Sequence, residues 1–142
     1  MSIESNKAVV RRFREALAAG DVDEAFAVFA PDAVIHMGSA PEPLGMEGFK
    51  QMGQLLLSAF SGSSSTVEAM IAEGDLVVSQ ITFRGTHTGD LMGIPPTGKS
   101  VAMSEIIIDR VVEGQIVESW RLFDQMAMMQ QLGLIPTPDR AG

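Results

Sequence analysis

The sequence predicts an α+β domain in which three N-terminal helices pack on one face of a curved antiparallel sheet. In the first half of the chain, apolar residues recur at helical spacing. In the second half, segments rich in Val, Ile, Thr and Phe alternate with tight-turn signals. Helices followed by hairpin-linked strands are typical of a sheet that carries its helices on one side. We therefore expect one domain over residues 1–142, shaped as a cone-like barrel open at one end.

Capping and turn residues separate the predicted elements. Gly20 ends the first helix because glycine adopts a left-handed conformation at low cost. Asp21 begins the second helix, and Glu24 three residues later completes a capping box. The serine-rich segment 61–65 is expected to be an irregular connector. The predicted elements are a helix over 4–19, a second helix carrying Phe29, a strand over 33–37, a helix from about 46 to 60 carrying Met52, strands over 66–72, 76–88, 101–112 and 115–125, and a short helix over 126–132.

Composition excludes several classes of function. The 142 residues contain no cysteine and only two histidines, so disulfides are excluded and we expect no metal site. The formal charge of −8 repels phosphate backbones, so we expect no nucleic-acid partner. No apolar run approaches the roughly 20 residues needed to cross a bilayer, and the N-terminus lacks a signal-peptide pattern, so we expect no membrane association and a cytoplasmic location. Phosphate-binding loops and the hydrolase nucleophile elbow are also absent, which leaves proton transfer or ligand binding in an apolar pocket.

The turn at residues 113–114 predicts which side chains enter the cone. If these residues form a hairpin loop, Val112 pairs with Gln115, and Ile107 then lies opposite Trp120. Because side chains alternate between the two faces of a strand, one face carries two carboxylates on an apolar surface. A slip of one residue would move the set to the other face. The predicted inward face consists of Met103, Glu105, Ile107, Trp120, Leu122 and Asp124.

Three residues are candidates for catalysis by proton transfer. A carboxylate in apolar surroundings loses solvation, so its pKa rises and it becomes a usable base, which favours Asp124. The alternative is that Asp124 caps the helix that follows it. Glu105 interrupts an apolar strand and is either the partner acid or the ion-pair partner of an arginine. His36, near the predicted mouth of the cone, titrates near working pH and is the third candidate.

The predicted pocket wall is mostly apolar, with a few polar groups. Trp120 is interpreted as pocket wall or core, and His87 as a polar group at a strand end that otherwise satisfies local hydrogen bonds. Arg110 and Arg121 are expected to balance acids on the surface or at an interface. The predicted substrate-binding set is Trp120, Met103, Ile107, Leu122, His87, Phe29 and Met52.

Short motifs spread over nearly the whole chain, in order and at compatible spacing, together carry a family resemblance. They are residues 6–13, 19–23, 29–34, 85–89, 93–99, 113–120, Asp124 and 130–133. The set resembles the SnoaL-like polyketide cyclase group of the nuclear transport factor 2-like superfamily. This resemblance implies a cone-shaped α+β barrel of the cystatin-like type, which is commonly a homodimer through the open sheet face.

The resemblance also implies a chemistry without metal or organic cofactor. In cyclases of this group an aspartate in the cone removes an acidic proton from a polyketide, and the enolate closes a ring by aldol condensation. The resemblance assigns this role to Asp124, and His36 is the only substitute for the histidine that those cyclases use. We expect acid–base chemistry on a small apolar carbonyl compound: cyclisation, isomerisation or dehydration. The alternatives are a non-catalytic binding protein for a hydrophobic small molecule and an interaction module whose cone is filled.

Overall fold

The computed structural model describes residues 2–137 and has the α+β architecture that the sequence predicts. Helices α1 to α3 precede most of the sheet, and a short helix α4 follows the last strand. No helix in this part of the chain is both long and apolar enough to cross a bilayer. The elements are α1 Ile3–Ala18, α2 Val22–Ala27, β1 Phe29–Met37, α3 Met46–Ala59, β2 Phe60–Glu73, β3 Leu76–His87, β4 Ser100–Val112, β5 Gln115–Phe123 and α4 Gln125–Gln131.

The five strands form one sheet in the order β1-β5-β4-β3-β2. Strands β2 to β5 pair antiparallel with their sequence neighbours, as hairpin connections require. Strand β1 lies parallel to β5 at one edge. The long path through α3 and the other strands supplies the crossover that a parallel pair needs.

Strand β1 begins earlier than predicted, and α2 is correspondingly shorter. Helix α2 ends at Ala27, so Phe29 opens β1 instead of lying on the helix. Pro31 is tolerated because β1 is an edge strand and its pairing is irregular between Phe29 and Val34. Phe29 is nevertheless buried, at 3% exposure, so the prediction of an inward side chain is correct although its element is different.

The predicted connector 61–65 is part of strand β2. The pairing of β2 with β3 shifts between Ser61 and Ser64, which marks a bulge in this edge strand. Gly62, within the bulge, has a φ of +59°. Most β2 side chains are exposed. The strand therefore lacks an apolar alternation, and its hydrogen bonds to β3 hold it in the sheet.

Two separate hydrophobic clusters cover the concave face of the sheet. The first joins α1, α2 and β1 to the hairpin ends of the sheet, and its rings pack edge to face, as Phe13 and Phe29 do at 5.1 Å between centroids. The second joins the end of α3 to the start of β4 and to α4. The first cluster includes Val10, Phe13, Ala25, Phe29, Ile35 and Phe49; the second includes Phe60, Leu91, Val101, Met103, Met128 and Leu132.

Candidate active site

A β-bulge in β5 decides which side chains enter the cone. Beside the turn, Val112 pairs with Gln115, as predicted. Farther along, Arg110 pairs with Glu118, and Val117 becomes the extra residue of the bulge. The predicted register is therefore wrong beyond this point, because each later β5 residue lies one position away from its predicted partner.

Strand β4 presents the predicted face to the concave side. Met103 belongs to the second hydrophobic cluster, Ile107 is fully buried, and Glu105 is mostly buried between them. The same alternation continues to Asp109, which is 2% exposed. Extending the alternation by one more inward position would have identified Asp109 from the sequence.

Strand β5 presents the opposite face from the predicted one. Ser119 and Arg121 point to the concave side, opposite Asp109 and Ile107 of β4. Leu122 is 61% exposed. The expectation that Trp120 and Leu122 line the pocket is wrong, because the bulge turns them outward.

Asp124 lies just past the end of β5 and is the N-cap of α4. Its Oδ1 accepts a hydrogen bond from the backbone N–H of Ala127 at 3.0 Å, and its side chain is exposed. The helix-capping alternative is therefore what the structure shows, and the expectation that Asp124 enters an apolar hollow is wrong. A capping bond of this kind is local and does not depend on the sheet register.

His36 lies on the outer face of the sheet in a chain of charged groups. Its Nε2 is 2.7 Å from Oε2 of Glu118, and its ring stacks on Trp120 at 5.4 Å between centroids. Arg110 contacts the other Glu118 oxygen at 3.9 Å and Asp75 at 2.9 Å. Arg110 thus balances surface acids, as predicted. The expectation that His36 lies at the mouth of the cone is wrong, because His36 lies on the outer face of the sheet.

Between the two hydrophobic clusters lies a group of polar side chains that we call the polar layer. It combines two arginines, two carboxylates and two serines on or against the concave face. Arg14 comes from α1 and interacts electrostatically with three of the other members. The polar layer consists of Arg14, Ser79, Glu105, Asp109, Ser119 and Arg121.

Arg121 is held in the polar layer by aromatic rings and an acid. Its guanidinium carbon is 4.8 Å from the ring centroid of Phe49 and 5.8 Å from that of Phe13. Nε donates to Oγ of Ser119 at 3.3 Å, and Nη1 is 3.7 Å from Oε1 of Glu105. The expected surface role of Arg121 is therefore wrong. Glu105 pairs with an arginine, which was the second of the two roles predicted for it.

Burial changes the proton affinity of Asp109. Burial raises the pKa of Asp109 above its usual range, and Glu105 adds to the rise. Arg121, the hydroxyl of Ser119 and Arg14 lower this pKa, but less than burial raises it. A carboxyl with a raised pKa is better matched to proton transfer near neutral pH than an ordinary aspartate.

Arg14 is the second cation of the polar layer; the residue is half-buried, and its Nε is fully buried. Desolvation, and after it repulsion by Arg121, lower the pKa of Arg14 to about 10, although Glu105 and Asp109 oppose the change. Arg14 therefore stays protonated at neutral pH. Arg14 was not predicted as a site residue, because a polar residue in an amphipathic helix normally lies on its solvent face.

The polar layer contains buried atoms without a hydrogen-bond partner among residues 2–137. They are Nε of Arg14, Oγ of Ser79, Oδ1 of Asp109 and Nη2 of Arg121. Buried polar groups are nearly always paired, and leaving one unpaired costs about 1–3 kcal/mol. The unpartnered atoms of this layer therefore include both hydrogen-bond donors and an acceptor.

His87 and Met52 are the remaining predicted pocket residues. His87 is fully buried; its Nδ1 accepts the backbone N–H of Thr97 at 3.2 Å, and its Nε2 has no partner within residues 2–137. Its ring centroid is 5.5 Å from that of Phe60. Met52 is half-buried on α3.

Two open grooves lie outside the polar layer. A groove of about 530 Å³ runs between α2, the start of β1 and α3, with Asp23 and Lys50 as its charged side chains. A groove of about 380 Å³ lies beside Arg84 and Gln131. Within residues 2–137 no three histidine, aspartate or glutamate side chains are arranged to hold a metal ion. We place the candidate active site at the polar layer, because it combines a perturbed acid with two cations in apolar surroundings.

Helices packed on a curved sheet, with acid–base groups between them, define a class of small cone-shaped proteins. Comparison with known families identifies the particular one. The chain belongs to the SnoaL-like polyketide cyclase family, whose sequence profile matches residues 7–132. The predicted resemblance and fold class are thereby confirmed.

Similar proteins and solved structures agree with this assignment. The aklanonic acid methyl ester cyclase DauD of Streptomyces sp. (strain C5) is 32% identical over 92% of this chain and 84% of its own length. DnrD of Streptomyces peucetius, also an aklanonic acid methyl ester cyclase, is 31% identical over 92% of this chain and 93% of its own length. AclR of Streptomyces galilaeus, a candidate hydroxylase, superposes with a TM-score of 0.88 at 26% identity, over 98% of this chain and 87% of AclR. IdmH of Streptomyces antibioticus, a candidate polyketide cyclase, superposes with a TM-score of 0.79 at 34% identity, over 90% of this chain and 98% of IdmH.

Proposed function

We propose that the protein is a cofactor-independent cyclase that closes a ring in a polyketide methyl ester by intramolecular aldol condensation. Its similarity to two aklanonic acid methyl ester cyclases over most of their length supports this reaction class. The observation that carries the proposal is Asp109, a buried carboxyl with a raised pKa that interacts electrostatically with Arg121 and Arg14. The surrounding hydrophobic clusters supply the apolar surface that a polyketide ring system needs.

Asp109 is the proposed general base, in the role that sequence analysis gave to Asp124. The carboxylate removes a proton from an acidic carbon of the substrate, and the resulting enolate attacks a second carbonyl carbon of the same molecule. The new alkoxide then takes the proton back from Asp109. The product is an isomer of the substrate, so the reaction needs neither oxidant nor reductant.

Other side chains of the hollow have supporting roles in this proposal. Glu105 is a positioning residue, because its contact of 3.7 Å with Arg121 fixes the guanidinium next to Asp109. Met103, Ile107, Phe29, Met52 and His87 are proposed as walls of the substrate pocket. His36, Trp120, Leu122 and Asp124 lie on the outside and are not part of the proposed site.

We also propose a homodimer that forms through the outer face of the sheet. Ile106 and Leu122 are paired neighbours on this face and are 42% and 61% exposed. Contiguous exposed apolar side chains of this kind are typical of interaction surfaces. A cytoplasmic location stays a prediction.

A pair of matched variants tests the proposed function. The substrate is aklanonic acid methyl ester, the compound named for both cyclases. Asp109→Asn should lower the turnover rate at least about 100-fold, because general base catalysis contributes that much or more. Asp124→Asn is the same chemical change at an exposed helix cap and should leave turnover unchanged. Mass spectrometry of the product should show the mass of the substrate.

Several outcomes contradict this proposal. An active Asp109→Asn variant would remove Asp109 from the mechanism, and inactivation by Asp124→Asn in an intact fold would return the role to Asp124. A product heavier by one oxygen atom would indicate hydroxylation, the activity described for AclR. Ligand-dependent stabilisation of the protein without any turnover would instead favour the binding-protein alternative.

A further inference from the structure

The free edge of strand β2 points to a contact with a second copy of this chain. We propose that residues 69–73 pair antiparallel with the same residues of another copy, with a two-fold axis at Ile71, so that two sheets join edge to edge. The contact uses backbone groups at one edge of the sheet. It is therefore separate from the proposed dimer through the outer face and independent of the proposed catalytic function.

The two edges of the sheet are protected to different degrees. At the β1 edge, Ile35 and Leu44 exchange two backbone hydrogen bonds of 2.8 Å, and Pro31 interrupts the strand. At the β2 edge, no other backbone segment among residues 2–137 pairs with the outer side of the strand. Strand β2 also contains neither proline nor lysine, which commonly block pairing at an edge. The β2 edge is therefore open to another strand.

The β2–β3 hairpin determines which backbone groups face this open edge. A two-residue turn at 74–75 follows Glu73, and such a turn hydrogen-bonds the residues that flank it. Because hydrogen-bonded and non-hydrogen-bonded pairs alternate along an antiparallel ladder, Ile71 also bonds to β3. The N–H and C=O groups of Met70 and Ala72 therefore face the open edge. Each copy offers a donor and an acceptor from both of these residues.

One antiparallel register uses all of these groups. A two-fold axis at Ile71 places Met70 opposite Ala72 of the second copy, and Ala72 opposite Met70 of that copy. Each of these two pairs exchanges two hydrogen bonds, which gives four between the copies. An axis at Met70 would instead set Ala72 against Glu68, the extra residue of the bulge between Val67 and Ala69. The register centred on Ile71 is therefore favoured.

The side chains of residues 69–73 are compatible with this register. Ile71 pairs with Val78 within the sheet and is 66% exposed. At the axis it contacts Ile71 of the second copy in a non-hydrogen-bonded pair, in which cross-strand side chains come closest. Glu73 is the only charged residue of the segment and faces Ala69 of the second copy, so no like charges meet. Self-pairing thus covers an exposed apolar side chain without a repulsive pair.

The bulges of β2 limit the contact to a short segment. The pairing with β3 shifts between Ser61 and Ser64 and again between Val67 and Ala69, and a bulge interrupts the addition of a further strand. Only residues 69–73 pair regularly between the second bulge and the turn. A contact of this length is smaller than the interfaces of stable complexes, which bury about 1,200–2,000 Å². We therefore expect a weak association, with a dissociation constant of about 0.1–1 mM.

Solvent exchange of backbone amides, measured by NMR spectroscopy, tests this contact. The measurement uses the parent protein and Leu122→Glu, the variant expected to dissociate the outer-face dimer. Raising the concentration from about 10 µM to about 1 mM should slow exchange at Met70 and Ala72 about two- to fourfold in both proteins, as the expected dissociation constant requires. The amides of Ile71 and Glu73 should change less, because they are already bonded to β3.

A pair of glutamate variants separates this edge from the rest of the strand. Ile71→Glu sets two carboxylates opposite each other at the axis, so it should abolish the concentration dependence. Val67→Glu is the matched control, because Val67 is an exposed β-branched residue of the same strand, at 39%, but lies outside the pairing segment. This control should keep the concentration dependence. If circular dichroism shows that Ile71→Glu does not fold, Ala72→Pro replaces it, since proline removes an outward N–H and is tolerated in edge strands.

Several outcomes contradict the inference. Exchange at Met70 and Ala72 that does not depend on concentration, or a dependence that a folded Ile71→Glu variant retains, would exclude pairing centred on Ile71. Equal loss of the dependence in Val67→Glu would show that the contact is not confined to residues 69–73. Slow exchange at Met70 and Ala72 at every concentration would mean that another segment of the same chain covers this edge.

Discussion

Two aspartates of this chain have very different surroundings. Asp109 has 2% of its surface exposed and lies among arginines and serines, whereas Asp124 is exposed and accepts a backbone hydrogen bond at the start of α4. Burial acts on the charged form of a carboxyl, so only the first aspartate has the surroundings that favour proton transfer. Residue type alone therefore does not identify the base.

At the residue scale, Asp109→Asn is expected to change how stability depends on pH. Because the pKa of Asp109 is raised in the folded state, the protonated carboxyl stabilises the fold below its unfolded pKa, and this contribution is lost as pH rises through the folded pKa. Asparagine carries no such dependence. The melting temperature of the variant, relative to the parent, should therefore rise as the pH increases above about 4, the usual pKa of an aspartate.

Thermal unfolding at stepped pH measures this difference. Asp124→Asn is the control, since it removes a carboxylate that is exposed, and its melting temperature should not drift upward against the parent in this way. An Asp109→Asn curve that runs parallel to the parent at all pH values would mean that burial does not raise this pKa.

At the scale of single elements, one inserted residue sets the composition of the site. Val117 is the extra residue of the β5 bulge, and it directs Arg121 inward and Trp120 outward. Valine is compatible with either face of a strand, so neither propensity nor alternation marks the bulge in the sequence. Bulges are common beside active sites, where they redirect side chains.

The side-chain amide of the last residue of helix α4 forms two hydrogen bonds to the backbone of strand β4. Gln131 accepts the backbone N–H of Ala102 at 2.7 Å and donates to its C=O at 2.8 Å. Strand β5 ends opposite Glu105, so it does not reach Ala102. The amide of Gln131 therefore supplies the pairing that β5 does not provide there.

We expect Gln131→Ala to lower the free energy of unfolding by about 1 kcal/mol, since both bonds are partly exposed to water. Denaturation in urea measures the loss, and hydrogen exchange at the amide of Ala102 should become faster. Gln130→Ala is the matched control, because it leaves both bonds intact. Equal destabilisation by the two variants would show that helix propensity, rather than the attachment, is responsible.

At the scale of the whole molecule, the two faces of the sheet differ in chemical character. The concave face holds the polar layer between two hydrophobic clusters. The outer face carries exposed apolar side chains next to the His36–Glu118 pair. Because the proposed site and the proposed dimer interface lie on opposite faces, we expect that a substitution on the outer face can change assembly without altering the site.

Leu122→Glu is therefore expected to dissociate the proposed dimer while it preserves the fold. A carboxylate there would be buried against apolar side chains of the second copy, which is costly without a partner. Gel filtration with light scattering should give a dimer mass for the parent and a monomer mass for the variant. Leu57→Glu is the control, because Leu57 is similarly exposed, at 53%, but lies on α3. A monomeric parent, or equal dissociation by both variants, would contradict the proposed interface.

Local patterns in the sequence were sufficient for most of the architecture. Periodic apolar residues predicted α1 and α3, the turn at residues 113–114 predicted the β4–β5 hairpin, and ordered motifs predicted the family. The capping of α4 by Asp124 was also available as an alternative, because a cap depends on residues only three apart. These features need only neighbours in the chain.

The site itself was decided by tertiary structure. Whether Arg121 is buried depends on the bulge at Val117, and whether it can stay buried depends on Phe13 and Phe49 from two helices far away in the chain. The raised pKa of Asp109 likewise comes from burial between clusters that no single segment forms. Desolvation and charge pairing act through space, so the sequence by itself determined the scaffold and the kinds of groups available, and only the packed fold decided which of them meet.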